Sequence, residues 1–211
     1  VWMDHVCPFC YIGYEELKKA INNSTVDDKI EINYKAFQLD RSAPLVEGNK
    51  AIDGLVRKFG SSQKVTEMIS SISHRAKSLG IKIDYEKMQA QNTIKAHTVY
   101  KLAEEKGLGQ AFQKKAFEAI FEKGKFLSDT NELKILGEDI GLSADDIESC
   151  INDESKYLDK VKEDLVQARH YKISGVPFYV FNNKYSIQGA QDYGMFERLI
   201  KKIIDEDLSE E

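Results

Sequence analysis

Val1-Trp2-Met3-Asp4-His5-Val6-Cys7-Pro8-Phe9-Cys10-Tyr11-Ile12-Gly13-Tyr14 opens the chain, and its reading decides the fold. Residues 1–4 form a short apolar run with the character of the middle of a strand, ending at a Cys-x-x-Cys pair. Pro8 suits the first turn of a helix, where its missing N–H costs nothing. Tyr14, Leu17 and Ile21 follow at helical spacing, and Asn22-Asn23-Ser24 stops that helix. Ile30, Ile32, Tyr34 and Ala36 then alternate with Glu31, Asn33 and Lys35, the pattern of a strand with one buried face or of an edge strand. The chain thus opens strand–helix–strand, and a right-handed crossover makes the two strands parallel neighbours.

From about residue 39 to about 153 nearly every segment has helical period. Val65, Met68, Ile69, Ile72, Ala76 and Leu79 share one face, as do Ala96, Val99, Tyr100 and Ala103, and as do Phe112, Ala116, Phe117, Ile120 and Phe121. Shorter helices are expected over 131–140 and 145–151, the second with Ser143 as its N-cap. Gly80, Gly107, Gly109, Gly124 and Gly141 punctuate the helix ends. Another helix carries Leu158, Val161, Leu165 and Ala168 into Ser174-Gly175-Val176-Pro177. Strands at 178–181 and 184–187 flank Asn182-Asn183, whose tolerance of positive φ suits a tight hairpin. The last helix puts Phe196, Leu199, Ile200, Ile203 and Ile204 on one face, and the acidic end, 205–211, is expected to fray. The order β-α-β, helical block, α-β-β-α describes an α/β protein: a thioredoxin fold interrupted by a large all-helical insertion. Residues 1–38 and 154–211 form the thioredoxin-like domain, and 39–153 form the insertion.

Composition narrows the function. The net charge is −5, from 30 basic and 35 acidic residues, and no basic stripe stands out, which argues against nucleic acid as a partner. No apolar stretch approaches the roughly 18 residues of a membrane span, and no signal-peptide pattern is visible. The chain has 3 cysteines, two of them in the pair and Cys150 alone. That usage suits a catalytic dithiol in a reducing compartment, so a cytoplasmic location is expected.

Residues three apart on a helix are neighbours, with Cα atoms about 5 Å apart, a separation that a disulfide spans. Cys7 falls at the helix N-terminus, where unpaired N–H groups and the positive end of the dipole favour a thiolate, the attacking species in disulfide exchange. Cys10, one turn inside, is expected to be more buried and to act second. The competing readings are an inert bridge and half a zinc site. Zinc needs two further ligands at sensible spacing; only Cys150 remains, with no His pair near it, so no metal is expected. Val176-Pro177 is the second element. A proline opening a strand is either cis, at a cost of about 0.5–1 kcal/mol, or an ordinary trans residue. A cis bond exposes the Val176 backbone beside the dithiol, where an extended substrate could pair with it.

Taken together, Asp4-His5-Val6-Cys7-Pro8-Phe9-Cys10-Tyr11-Ile12-Gly13, Phe37-Gln38-Leu39-Asp40, Asn92-Thr93-Ile94-Lys95-Ala96-His97, Ser174-Gly175-Val176-Pro177-Phe178-Tyr179-Val180-Phe181 and Gly189-Ala190-Gln191 resemble the DsbA-family oxidoreductases of the FrnE-like branch. The resemblance implies a helical insertion over the active site, Cys7 as nucleophile, Cys10 as resolving thiol, and a cis Pro177 facing them. Glutathione-dependent 2-hydroxychromene-2-carboxylate isomerases share the superfamily and typically carry Ser where Cys7 stands. Some relatives have an extra C-terminal cysteine pair, which this chain lacks.

Weaker candidates surround this core. His5 as a cation would favour a Cys7 thiolate, but the plainer reading is a solvent-facing residue at a strand end. Asn92 and His97 are candidates to line a substrate pocket if their helix caps the dithiol. His74 and His170 read as surface residues, and Cys150 as a small buried thiol. Gly107-Leu108-Gly109 follows no strand and is no dinucleotide fingerprint. The aromatics of the insertion, such as Phe112, Phe117, Phe121 and Phe126, read as core. The expected function is a disulfide oxidoreductase acting on protein or small-molecule thiols and disulfides. It needs no bound cofactor, has glutathione as a candidate co-substrate, and leaves a homodimer open. The alternatives are a glutathione-using isomerase or transferase for an aromatic compound, and a non-enzymatic adaptor with a vestigial dithiol.

Overall fold

A computed structural model describes residues 1–24, 30–152 and 156–209. Strands β1 (Trp2–Met3), β2 (Lys35–Ala36), β3 (Phe178–Phe181) and β4 (Tyr185–Gln188) form one mixed sheet in the order β2-β1-β3-β4. β1 and β2 are parallel, with Trp2 opposite Lys35 and Met3 opposite Ala36, while β3 runs antiparallel to both β1 and β4. Helix α1 (Pro8–Asn22) links β1 to β2, and α9 (Tyr193–Ser209) follows β4. Leu17, Ala20 and Ile21 of α1 pack with Tyr179 of β3 and with Phe196 and Ile200 of α9. This is the thioredoxin topology. Asn182 (φ 46°) and Asn183 (φ 53°) supply the left-handed turn of the β3–β4 hairpin.

Between β2 and β3 lie α2 (Ala51–Phe59), α3 (Ser62–Ser78), α4 (Ile94–Glu105), α5 (Gly109–Phe117), a π-helical turn (Glu118–Glu122), α6 (Thr130–Asp139), α7 (Ala144–Asn152) and α8 (Tyr157–His170). Ser143 caps α7 through its hydroxyl, which accepts from Asp146 N–H at 3.1 Å. These helices build no core of their own. Trp2, Met3 and Tyr14 belong to the same buried cluster as Phe112, Phe117, Phe121, Leu133 and Ile147.

Three local expectations need correction. The strand expected over 30–36 is only Lys35–Ala36. The alternation survives in burial, with Tyr34 and Ala36 inside and Glu31 and Asn33 outside, but β1 offers only Trp2 and Met3 as register partners. The aromatic helix around Phe112–Phe121 loosens after Phe117 into the π-helical turn, where Lys123 N–H reaches Glu118 O at 3.2 Å. Helix α9 persists through Ser209, well into the acidic end; 210–211 lie outside the described residues.

Asp164 of α8 ties the helices to the sheet. Its Oδ2 accepts from Ala36 N–H at 2.9 Å and stands 2.9 Å from Lys101 Nζ of α4, and its Oδ1 accepts from Lys35 Nζ at 3.2 Å. Trp2 Nε1 donates to the Asp164 carbonyl at 3.2 Å. A buried carboxylate with this many donors fixes the register of β2 against α4 and α8.

The β1–α1 loop turns inward, and this corrects the solvent-facing reading of His5, which is 1% exposed. Asp4 Oδ2 accepts from Leu39 N–H at 2.8 Å, and Asp4 O from Cys7 N–H at 3.0 Å. His97 Nε2 donates to Phe37 O at 3.0 Å and lies 3.5 Å from Asp4 Oδ1. The His5 ring sits 4.4 Å from that of His97 and about 6 Å from Phe112 and Phe117. Neither of its nitrogens has a hydrogen-bond partner among the described residues, although Gln113 faces it. Burial first, then the charge of His97, holds the His5 imidazole well below its ordinary pKa. A neutral ring supplies no positive charge to Cys7, so the cationic reading of His5 fails too. Sequence position alone could not show that the loop dives beneath α4 and α5.

Removing the Asp164 carboxylate takes from the buried Lys101 ammonium one of its two carboxylate partners, from half-buried Lys35 its ion pair, and from Ala36 N–H its acceptor. Asp164→Ala is expected to lose about 3–5 kcal/mol in urea denaturation. The shared core predicts that the loss appears in one cooperative transition. His5 gives a pH signature. The unfolded chain takes up a proton on His5 near pH 6.5, whereas the folded chain resists it until lower pH. His5 therefore costs no stability above about pH 6.5 and an increasing amount as pH falls below it. Thermal midpoints from pH 7 down to pH 5 should fall more steeply for the wild type than for His5→Phe; parallel curves would contradict this account.

Candidate active site

The site is built where β1 ends and α1 begins. Cys7 is the N-cap of α1 in an extended conformation (φ −90°, ψ 113°), with Pro8 in the first turn and no side chain capping the helix. Its carbonyl accepts from Cys10 N–H at 2.9 Å and Tyr11 N–H at 3.3 Å. The Cys7 sulfur thus stands beside the positive end of a 15-residue helix whose amides no side chain has claimed. Cys7 and Cys10 are both free thiols. Cys7 is 4% exposed and Cys10 is 0% exposed, while the intervening Phe9 is open at 39%.

The strand β3 brings the second half. The Val176–Pro177 peptide bond is cis, and the Cys7 thiol donates to the Val176 carbonyl at 3.6 Å. Gly189 N–H closes on Pro177 O at 2.7 Å, pinning this loop to the end of β4. Residues 169 positions apart in sequence thus meet at one sulfur.

Cys10 has a different environment. Burial drives its thiol well above the ordinary range. The adjacent Cys7 adds to this, and the backbone N–H of Asp4, hydrogen-bonded to it, opposes it. Cys10 therefore rests as a protonated, solvent-shielded thiol.

Asn92 and His97 lie near this end of the fold, where the Asn92 amide and His97 Nε2 are bonded internally. Asn92 Oδ1 accepts from Gln38 Nε2 and from Ile94 N–H, both at 3.0 Å, and its Nδ2 donates to Arg41 O at 3.0 Å. Asn92 N–H reaches Pro44 O at 2.9 Å. Both side chains are buried and clasp the loop after β2 against the start of α4. The stretches around Asp4, Phe37 and Asn92 thereby knit together beneath the dithiol. His74 and His170 are exposed, and Cys150 is buried with its thiol 3.4 Å from Thr98 O.

The sequence reading passed over three tyrosines. Tyr11 stacks on Phe117 (4.9 Å) and Phe121 (5.7 Å), and its hydroxyl donates to Glu122 at 3.2 Å. Tyr179 lies two residues beyond Pro177, hence on the same face of the strand, a signal that the period-two rule could have supplied. Tyr85, from the segment after α3, had no sequence signal. It also walls an open cleft of about 780 Å³ bounded by Ile52, Val56, Arg57, Ile69 and Lys82. Among the described residues no group of three or more His, Cys, Asp or Glu is arranged to hold a metal, and no helix is long and apolar enough to cross a membrane.

Known proteins agree with this architecture. The uncharacterised protein YwbO of Bacillus subtilis (strain 168) is 26% identical over 202 residues, covering 95% of this chain and 94% of its own. The crystal structure of a probable DsbA oxidoreductase from Streptomyces coelicolor superposes with a TM-score of 0.89 at 25% identity, over 95% of this chain and 87% of that one. A 2-hydroxychromene-2-carboxylate isomerase shares the fold at a TM-score of 0.71 and 16% identity, over 100% of this chain and 97% of that one. The family model for the DSBA-like thioredoxin domain matches residues 1–201, and the chain belongs to that family.

Proposed function

We infer that the protein is a thiol–disulfide oxidoreductase in which Cys7 is the nucleophile and Cys10 the resolving thiol. The observation that carries this reading is the asymmetry of the pair. One sulfur caps a helix beside the carbonyl of a cis-proline loop, and the other is sealed one turn below it.

In the reducing direction, the Cys7 thiolate attacks a substrate disulfide R–S–S–R′. A Cys7 Sγ–S–R mixed disulfide forms, and R′–S⁻ leaves with the electron pair of the broken S–S bond. Cys10 loses its proton and attacks the Cys7 sulfur. The Cys7–Cys10 disulfide forms, and R leaves as a thiolate that takes up a proton. The oxidising direction is the reverse. The helix amides stabilise charge on Cys7 in the first step. Burial keeps Cys10 out of the first step and within reach for the second. The Val176 backbone beside Cys7 suits pairing with an extended polypeptide, so protein disulfides fit as substrates. Glutathione and other small thiols fit as the exchange partner, in a cytoplasmic setting. No bound cofactor enters this cycle.

The glutathione-using isomerase reading is weaker, because a sealed second thiol has no part in it. The two readings separate on one variant. Cys10→Ser is expected to retain the first attack, accumulate a mixed disulfide on Cys7, and lose at least about a hundredfold in turnover of a protein disulfide such as insulin. Cys7→Ser is expected to abolish turnover. Full activity of Cys7→Ser with insulin and with oxidised glutathione would sink the oxidoreductase reading; isomerase activity that survives Cys10→Ser would favour the other.

A further inference from the structure

The turn between β4 and α9 holds the Val176–Pro177 loop, and that turn is itself held from outside the sheet. Gly189, at φ 82°, takes a left-handed conformation that suits glycine, and its N–H reaches Pro177 O at 2.7 Å. Gln191 Nε2 donates to Gln188 O at 2.9 Å, which closes the turn on the end of β4. The carbonyls of Ala190 and Gln191 lie beyond β4 and before α9, so they take donors from elsewhere.

One side chain of the insertion supplies both. Arg75, near the C-terminal end of α3, donates from Nη1 to Ala190 O at 3.0 Å and from Nη2 to Gln191 O at 2.9 Å. A planar guanidinium holds two neighbouring acceptors at once, which a lysine ammonium does less well. Glu16 of α1, itself buried, stands beside it. Its Oε1 lies 3.9 Å from Arg75 Nη2, and its Oε2 accepts from the N–H of Tyr193, where α9 begins, at 3.0 Å. Helices α1, α3 and α9 thus converge on residues 189–191.

From there the path to the sulfur is short. Gly189 bonds Pro177, and the neighbouring Val176 carbonyl accepts from the Cys7 thiol at 3.6 Å. Gln188 adds a second contact, its Nε2 lying 3.4 Å from where a Cβ on Gly175 would stand. Arg75 acts on this path from a distance, since its own hydrogen bonds go to the turn and not to either cysteine.

We propose that Arg75 is a positioning residue for polypeptide substrates: by clamping residues 189–191, with Glu16 beside it, it keeps the Val176–Pro177 backbone where an extended chain can pair with it next to Cys7. The proposal deepens the reading above and rests on it. A small disulfide needs only the sulfur and gains nothing from the clamp. A polypeptide disulfide needs the sulfur and the Val176 backbone together. A loop that must be ordered at each binding event costs entropy, and a loop already held does not.

The test compares two disulfides on one protein. Reduced protein is mixed with a disulfide-bonded peptide or with hydroxyethyl disulfide, and closure of the Cys7–Cys10 bond is followed by quenched-flow thiol trapping. In Arg75→Met the half-saturating peptide concentration is expected to rise about tenfold at an unchanged limiting rate, while the rate with hydroxyethyl disulfide stays within about twofold. Arg75→Lys keeps the charge beside Glu16 and should fall between; it also keeps the test decisive should the methionine variant fail to fold. Hydrogen exchange of the Gly189 amide, read by NMR, should quicken in both variants. Equal slowing with both disulfides, or no change with either, overturns the proposal. So does a loss that falls on the limiting rate, or a Gly189 amide whose exchange is unaltered. A wild type oxidised by neither disulfide would instead refute the oxidoreductase reading, so the two failures are distinguishable.

Discussion

The structure depends on one junction, where a strand ends, a helix begins, and a cysteine occupies the N-cap. A conventional N-cap side chain would bond the free amides of the first turn. At Cys7 no such bond forms, and the helix terminus is left facing a sulfur. Everything nearby holds this junction in place. Asp4 fastens its approach to Leu39 N–H, Pro8 sets the first helical turn, and the cis Val176–Pro177 bond turns the Val176 carbonyl onto the sulfur. A helix end is worth only about 0.3–1 kcal/mol to a nearby exposed charge and more when partly buried, so its value to a thiolate depends on this enclosure.

The helices between β2 and β3 serve the junction as much as they cover it. They share the core of the sheet, and they deliver Phe117 and Phe121 onto Tyr11, and His97 beneath Asp4. The π-helical turn matters here. By widening one turn after Phe117, it presents Glu122 to the Tyr11 hydroxyl while Phe117 and Phe121 both remain stacked on the Tyr11 ring. Asp164 fastens the other side, joining α4, α8 and β2 through one carboxylate. A segment joined at both ends in this way positions side chains over the dithiol without forming a separate folding unit.

Much of this was legible in the sequence, and what was not has definite causes. Cys7-Pro8-Phe9-Cys10 between a strand and an amphipathic helix gave the start of α1, because proline and helical period are local signals. Asn182-Asn183 gave the β3–β4 turn for the same reason. β2 was overestimated because alternation reports which face is buried, whereas ladder length depends on the partner strand. His5 was misplaced because burial of a loop residue is decided by what packs over it, here His97 and Phe112 from 90 or more residues away. Asn92 and His97 were read as candidates to line a substrate pocket, but their bonds to Gln38, Arg41 and Phe37 are tertiary and carry no mark at the level of spacing.

The distribution of unsatisfied polar atoms bears on why the site tolerates these departures. Asp4 Oδ1, both nitrogens of His5, Gln113 Nε2 and the hydroxyls of Tyr85 and Tyr179 lack hydrogen-bond partners, and Ser24 Oγ is the remaining such buried atom among the described residues. Each buried group left unpaired costs about 1–3 kcal/mol, and apolar residues of similar shape would avoid the cost. Phenylalanine would serve stability better than tyrosine at 85 and 179. Were these residues present only to fill space, such atoms should be scattered through the core at random. Instead they gather at the end of the fold where Cys7 and Cys10 lie. Departures from packing rules that concentrate, Ser24 Oγ apart, at one end of a fold are what a functional site looks like from the side of stability.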